Sequence, residues 1–294
     1  MKEEILGRVV KAKVIDENQT AYFVQAAALT CRLAKSEVEA DLKLGDSVSG
    51  FVYENEEHHL QMTLKVPAVG INQYAFGEVV SVRRDLGVFV DIGLPNKDLA
   101  VSLDELPEQH KLWPKEHDQL MIALKLDHKD RMWGTLATTE VFQQLAVKAE
   151  QSMMNQDVTV TAYRLKLAGT LVVTADFKLG FIHPSERDRE PRLGEQLKAR
   201  VIGVRPDGIL NLSLRPRAYE AIGDDAAMLI ATLEHQGGSL PFWDKSSPAE
   251  IKSYFGISKG QFKRAIGHLL KNGLIEQQNG KILLKSTTNN QGKK

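Results

Sequence analysis

Apolar and polar residues alternate along most of the first two thirds of the chain. Val79, Ser81 and Arg83 alternate against Val80 and Val82, and Val88, Val90 and Ile92 alternate against Phe89 and Asp91. A period of two is the mark of β-strands. Turn signals separate the runs at Glu54 to Glu57, Asp127 to Asp130 and Pro206-Asp207-Gly208. The same plan occurs three times. A strand opens each segment, runs into a glycine- or alanine-marked β-stretch and passes a polar turn, and LGD- or LGE-like chain then returns into a final hairpin. The first copy reads GRVVKAKVIDENQTAYFVQ, then CRLAKSEVEADLKLGDSVSGFVYENEEHHLQMTLK. The second reads FGEVVSVRRDLGVFVDIG, then DLAVSLDELP and MIALKLDHKDRMWGTLAT. The third reads DVTVTAYRLKLAGTLVVTADFKLGFIHPSE, then PRLGEQLKARVIGVRPDGILNLSLRP. Short strands so spaced predict closed five-stranded barrels, which have no open sheet edge and fill their own interior. Their expected bounds are 1–66, 70–138 and 156–217.

Two stretches change to a helical period. In TTEVFQQLAVKAEQSMM, the residues Val141, Phe142, Leu145, Ala146, Ala149 and Met153 predict a linker helix over 139–155. After Pro216, Asp224 or Asp225 starts a helix that Gly237-Gly238 ends. Ser247-Pro248-Ala249-Glu250 and Ser258-Lys259-Gly260-Gln261 read as capping boxes for two more helices, the second stopping near Gly273. Asn279-Gly280 between two apolar runs is a hairpin turn. A helix, a short strand near Leu240 to Trp243, two helices and a hairpin give the order of a winged helix-turn-helix over 218–286, with a disordered tail at 287–294. The expected fold class is therefore mainly β and multidomain: three five-stranded barrels followed by an α+β winged helix-turn-helix.

In the last helix, Phe262, Ile266, Leu269 and Leu270 are expected in the core, which leaves Lys259, Lys263, Arg264 and Lys271 on an exposed basic face suited to phosphates. Charge adds to this picture. The chain is neutral overall, with 38 Lys and Arg against 38 Asp and Glu. Its two parts are not: residues 1–155 carry 17 against 24, and residues 156–294 carry 21 against 14. The asymmetry suggests an anionic partner for the basic part. Arg187, Arg189 and Arg192 share one loop, alternating there with Asp188 and Glu190. A single cysteine, Cys31, excludes an internal disulfide. No apolar run is long enough to span a bilayer, and MKEEILGRVVKAKV lacks the apolar core of a signal peptide, so a cytoplasmic protein without membrane contact is expected.

On a barrel, outward rings stack single-stranded bases and cations hold phosphates. Phe23, Phe89, His183 and Arg131 are candidates. The motifs LGFIHPSE, LGEQLKARVIGV, GILNLSLRP and DLGVFVDIG resemble those of S1-type RNA-binding domains, which are OB-fold barrels. With the terminal helix-turn-helix, about residues 1–285 resemble the bacterial conserved virulence factor B family. That resemblance implies three S1 domains joined to a winged helix, RNA binding, and a regulatory role in gene expression. The S1 face has two aromatics around a glycine, a histidine before a serine, and an acid and a base around the last hairpin. The second repeat matches at Phe89, Asp127 and Arg131 but has Leu86 for the first aromatic and Val101 near the histidine position. The third keeps His183, but has Leu171 for an aromatic, Arg205 for the acid and Ile209 for the base. The first keeps Phe23, with His59 near the basic position and Ala34 at the histidine.

Nothing in the chain requires catalysis. His58-His59 has no third ligand in reach, and Asp127-His128-Lys129-Asp130 lies on a wet turn. Phosphate-loop, dinucleotide and zinc-protease motifs are absent, and neither cofactor nor metal is expected. The leading expectation is a non-enzymatic binder of single-stranded RNA whose basic C-terminal half supplies most of the affinity. The alternative is a DNA-binding transcriptional regulator working through the winged helix, with the barrels as a scaffold. A protein-interaction adaptor is the third reading.

Overall fold

Each alternating segment closes into a five-stranded barrel in the computed structural model, which describes residues 2–215 and 223–285. Barrel 1 consists of β1 (Arg8–Glu17), β2 (Ala21–Ala26), β3 (Leu29–Ala34), β4 (Ser47–Glu54) and β5 (Leu60–Thr63), after a single helical turn α1 (Lys2–Ile5). Barrel 2 consists of β6 (Ala75–Arg83), β7 (Gly87–Asp91), β8 (Leu99–Ser102), β9 (Gln119–Leu126) and β10 (Met132–Leu136). Barrel 3 consists of β11 (Asp157–Lys166), β12 (Gly169–Thr174), β13 (Leu179–Ile182), β14 (Gln196–Val204) and β15 (Leu210–Ser213). In all three the order is first, second, third, fifth, fourth, and the third strand pairs parallel with the fifth.

The alternation is interrupted at one equivalent place. The first strand of every barrel shifts register, between Val14 and Asp16, Val79 and Ser81, and Ala162 and Arg164. A bulge inserts one residue and turns the strand. Val79 therefore faces the core while Ser81, two residues on, pairs with the outward Phe89, so strict alternation fails here. Gly87 shows how tightly the second strand fits. Its φ is +133°, and a Cβ there would lie 2.0 Å from the carbonyl oxygen of Val101. Only glycine tolerates both.

A carboxylate closes the turn before each fourth strand, accounting for the recurrent LGD and LGE patterns. Asp46 accepts the Lys43 N–H, Asp118 the Lys115 N–H, and Glu195 the Arg192 N–H. The latter two carboxylates also join barrels 2 and 3. Arg192 donates to Asp118 from Nε at 3.0 Å and Nη2 at 2.9 Å, and lies 3.4 Å from Glu195. Backbone bonds run beside it, from Gln119 N–H to the Gly194 carbonyl and from Leu193 N–H to the Leu112 carbonyl, both 2.9 Å.

The linker is helical only at α2 (Thr139–Leu145), followed by a single 3-10 turn at Gln151–Met153. The expected helix over 139–155 stops because Ala146 turns extended (ψ 132°) and Val147 instead pairs with the edge of barrel 3, its N–H 2.9 Å from the Phe177 carbonyl. Phe142 of α2 stacks on Tyr163, the bulge residue of barrel 3, with ring centres 3.9 Å apart.

Contacts divide the chain into two units, Met1–Leu214 and Arg215–Lys294. In the second, α3 (Asp224–His235), β16 (Ser239–Leu240), α4 (Pro248–Phe255), α5 (Lys259–Lys271), β17 (Ile275–Gln278) and β18 (Lys281–Leu284) form a winged helix with sheet order β16-β18-β17. Both expected capping boxes form, on Ser247 and Ser258, and Asn279 and Gly280 have the positive φ of the tight hairpin turn. The expected tail at 287–294 lies outside the described residues. Among the described residues no helix is long and apolar enough to cross a membrane.

The junction of barrels 2 and 3 makes stability depend on pH. Burial by itself raises the Glu195 carboxyl, but the Arg189 guanidinium, the Arg192 N–H and both positive charges outweigh it and hold the group below the ordinary carboxylate range. The stabilisation is therefore complete above the unfolded value of about 4.3 and is lost as pH falls through the lower folded value. Thermal unfolding measured from neutral to acid pH should show Glu195→Gln less stable at neutrality, with the two curves converging in acid. Arg192→Ala strands the buried Asp118, which is 5% exposed. Breaking such a pair costs about 3 kcal/mol, to be read from denaturant unfolding.

Candidate nucleic-acid interface

Closure of each barrel aligns outward side chains from strands distant in sequence. In barrel 2 one row runs Ser81, Phe89, Ala100, Trp133 across β6, β7, β8 and β10. The matching row of barrel 1 is Asp16, Phe23, Arg32, Gln61, and that of barrel 3 is Arg164, Leu171, Phe181, Asn211. Phe23, Phe89, Trp133 and Phe181 are all half-buried between fully buried neighbours, so each ring lies on the outer sheet face. Phe23 and Phe89 were expected there. Trp133, Phe181 and Arg32 were not, because their place depends on pairing of the third strand. Alternation around RMWGT alone would have marked Trp133.

Barrel 2 has the fullest set. Asp127 accepts the N–H groups of Arg131 at 3.0 Å and Lys129 at 2.8 Å, and the Arg131 Nε–H at 2.7 Å. These bonds, the Arg131 backbone N–H first, hold its carboxyl far below the usual carboxylate range. The Trp133 Nε1–H also donates to it at 3.3 Å, and the Arg131 guanidinium stands 5.6 Å from the Trp133 ring centre. Asp127 therefore positions a cation beside a ring. Arg83 stands likewise 5.4 Å from the Phe89 ring centre. Ring and cation together are what a single strand offers bases and phosphates to.

In barrel 1, Asn55 caps the equivalent turn through the N–H groups of Glu57 and His59. His59 is exposed, its Nδ1 3.4 Å from Glu57. Phe23 and His59 line one groove together with Arg32, Gln61 and, from barrel 2, Asn96. In barrel 3, His183 is exposed and caps a short turn, its Nδ1 accepting the Ser185 N–H at 3.2 Å. The same Nδ1 lies 2.7 Å from the Ser185 hydroxyl. Its ring stands edge-on to Phe181 at 6.4 Å. Arg205 is paired with Asp207 at 3.0 Å.

Part of the positive charge of barrel 3 is held in ion pairs, although Arg164, Lys166 and Lys198 are exposed with no ion pair among the described residues. Besides Arg205, Lys178 pairs with Asp176, Arg187 with Glu190, Arg189 with Glu195, and Arg192 with Asp118 and Glu195. The arginine loop is an internal salt-bridge network, and the Arg187 side chain is only 8% exposed. The winged helix differs. Among the described residues no carboxylate pairs with Lys259, Lys263, Arg264 or Lys271, and the last three are exposed along α5. Gln261 is occupied by its capping box, accepting the Ser258 N–H at 3.0 Å. The buried stripe of α5 is Phe262, Ala265, Ile266 and Leu269. Leu270, expected in the core, is 38% exposed, because it lies a residue beyond that stripe.

Barrels of this topology with aromatic outer rows, joined to a winged helix with an unpaired cationic helix, define a multidomain protein of the nucleic-acid-binding class. Family models match in the same order: an S1 domain at 6–65, the first S1-like domain of CvfB at 74–135, the second domain of virulence regulatory factor CvfB at 142–216, and a CvfB-like winged helix domain at 227–284. The chain belongs to the conserved virulence factor B family. It is 37% identical to conserved virulence factor B of Staphylococcus epidermidis over 97% of this chain and 96% of that one. It is 38% identical to the YitL protein of Bacillus subtilis over 93% and 92%. A crystal structure of a multidomain protein with nucleic acid binding domains from Streptococcus pneumoniae is 49% identical, covers 96% of this chain and 99% of its own, and superposes with a TM-score of 0.73.

One residue on the α5 face weakens the helix that carries it. Gly267 is exposed, and nothing lies within 4 Å of where its Cβ would stand. Gly267→Ala should stabilise the winged helix by about 1 kcal/mol, seen as a raised melting temperature.

Proposed function

We propose that this protein binds single-stranded RNA through the outer faces of its barrels and the cationic face of α5, and acts by that binding, without catalysis, in regulating gene expression. The observation that carries the reading is the row of rings across the barrel faces, densest in barrel 2, where Phe89 and Trp133 each have a guanidinium beside them. Half-buried rings set between strands stack unpaired bases, which a duplex does not offer. Cations supply the sequence-independent part of affinity. The ion pairs of barrel 3 shift that part away from its arginine loop, towards α5 and the cation–ring pairs of barrel 2. His59, His183 and Arg205 are proposed as peripheral contacts, and Asp127 as the group that positions Arg131.

A second reading, a DNA-binding transcriptional regulator, is favoured by α5 itself, since an exposed cationic helix is what enters a major groove. Against it, the Gln261 Oε1 is held by the Ser258 cap, which leaves its amide unable to make the two-bond reading of a base edge.

Fluorescence anisotropy of the full chain, at one stated salt concentration, separates the readings. Single-stranded RNA should compete a labelled RNA away and duplex DNA should not; the reverse order would establish the DNA reading. Trp133→Ala should weaken RNA binding by about 1–3 kcal/mol with unchanged stability. Replacing Lys263 and Arg264 with alanine should leave base preference unchanged. It should flatten the plot of log Kobs against log salt by about 0.7 per cation removed.

A further inference from the structure

The face of barrel 1 is unlike the other two, because barrel 2 stands over it. Glu56 donates its backbone N–H to the Asn96 carbonyl at 3.2 Å, and the Tyr53 hydroxyl lies 2.8 Å from the Pro95 carbonyl. These contacts set Asn96 against the turn between β4 and β5 and make a groove of about 670 Å³. Phe23, Arg32, Glu56, Glu57, His59 and Gln61 line it. That volume suits a small-molecule-sized group.

The charges in the groove are unusual. Arg32 is half-buried on β3 and makes no ion pair among the described residues, although two glutamates line the same space. Glu57 stands 3.4 Å from His59, whereas the exposed Glu56 carboxylate has no ion pair among the described residues. A phosphate gains one guanidinium here and meets two carboxylates, so the groove disfavours it. A neutral ligand with one acceptor edge and one donor edge satisfies both charges at once.

Among the bases, guanine has that pattern. Its O6 and N7 are adjacent acceptors that match a guanidinium fork, and its N1–H and 2-amino group are adjacent donors that match a carboxylate. Adenine alternates donor and acceptor on its N6/N7 edge and calls for an amide instead. The pyrimidines have no counterpart of O6 and N7. We propose that the barrel 1 groove is a guanine-selective subsite. Phe23 stacks on the base, Arg32 takes O6 and N7, and Glu56 takes N1–H and the 2-amino group. This rests on the single-strand RNA reading above.

The test uses the full chain and short oligouridylates in which one central nucleotide is uridine, guanosine, inosine, 7-deazaguanosine or adenosine, with affinity read by anisotropy. Guanosine should bind about tenfold more tightly than uridine or adenosine. Inosine, which lacks the 2-amino group, and 7-deazaguanosine, which lacks N7, should each lose most of that gain. Glu56→Gln should abolish the preference for guanosine over inosine, and Arg32→Met the preference for guanosine over 7-deazaguanosine. Both variants should keep the wild-type melting temperature, which shows that they are folded, and each preference is read as a ratio of affinities within one variant, so that a general loss for plain oligouridylate does not count. Equal binding of all five oligonucleotides overturns the subsite and leaves RNA binding standing. Failure to bind any of them overturns both. A guanosine preference that survives both substitutions places the selectivity elsewhere and overturns the assignment.

Discussion

The short parallel ladder between the third and fifth strands governs the chemistry of all three barrels. It is only a few residues long, as in Ala100 with Trp133, or Gly180 to Ile182 with Leu210 to Leu212. Yet it closes the sheet, removes the last open edges and fixes which outward residues become neighbours. Without it, Phe89 and Trp133 would lie three strands apart in one open sheet. With it, they stand in one row with only the small Ala100 between them. The bulge in each first strand has a complementary effect, turning Asp16, Ser81 or Arg164 outward to extend that row.

What is local in the chain is legible in its sequence. Two capping boxes, the Asn279-Gly280 hairpin and the alternation within strands away from the bulges depend on neighbours a few positions apart, and all appear in the fold. The outward placement of Phe23 and Phe89 follows from the same alternation. The rows that join Arg32, Trp133 and Phe181 to their neighbours on β5, β8 and β15 escape such reading, because no short-range pattern encodes a parallel pairing. The linker misleads for a related reason. Its apolar residues do recur at helical spacing, but Val147 gains a backbone partner on barrel 3, and tertiary pairing overrides a weak propensity.

Charge is legible as a sum and not as a distribution. The basic excess after residue 155 is real, but the fold places Asp118 of barrel 2 against Arg192 and folds Glu190 and Glu195 back onto the arginine loop. Counting charges cannot separate a cation held in such a network from one aimed at solvent. The distinction matters physically, because an arginine already engaged by two carboxylates has little attraction left for a phosphate, whereas Arg264 or Lys271 retains all of it.

Tyr163 carries one more consequence. At the corresponding bulges, Ile15 and Val80 remain 44% and 36% exposed, while Tyr163 is covered by Phe142 from the connecting segment. Barrel 3 therefore borrows part of its own coat from the residues that lead into it, and lends its arginine loop to the barrel before. Cutting between them would bare an aromatic ring on one piece and an orphaned carboxylate on the other. The natural seam for dissecting this molecule lies near Leu214, not between the repeats.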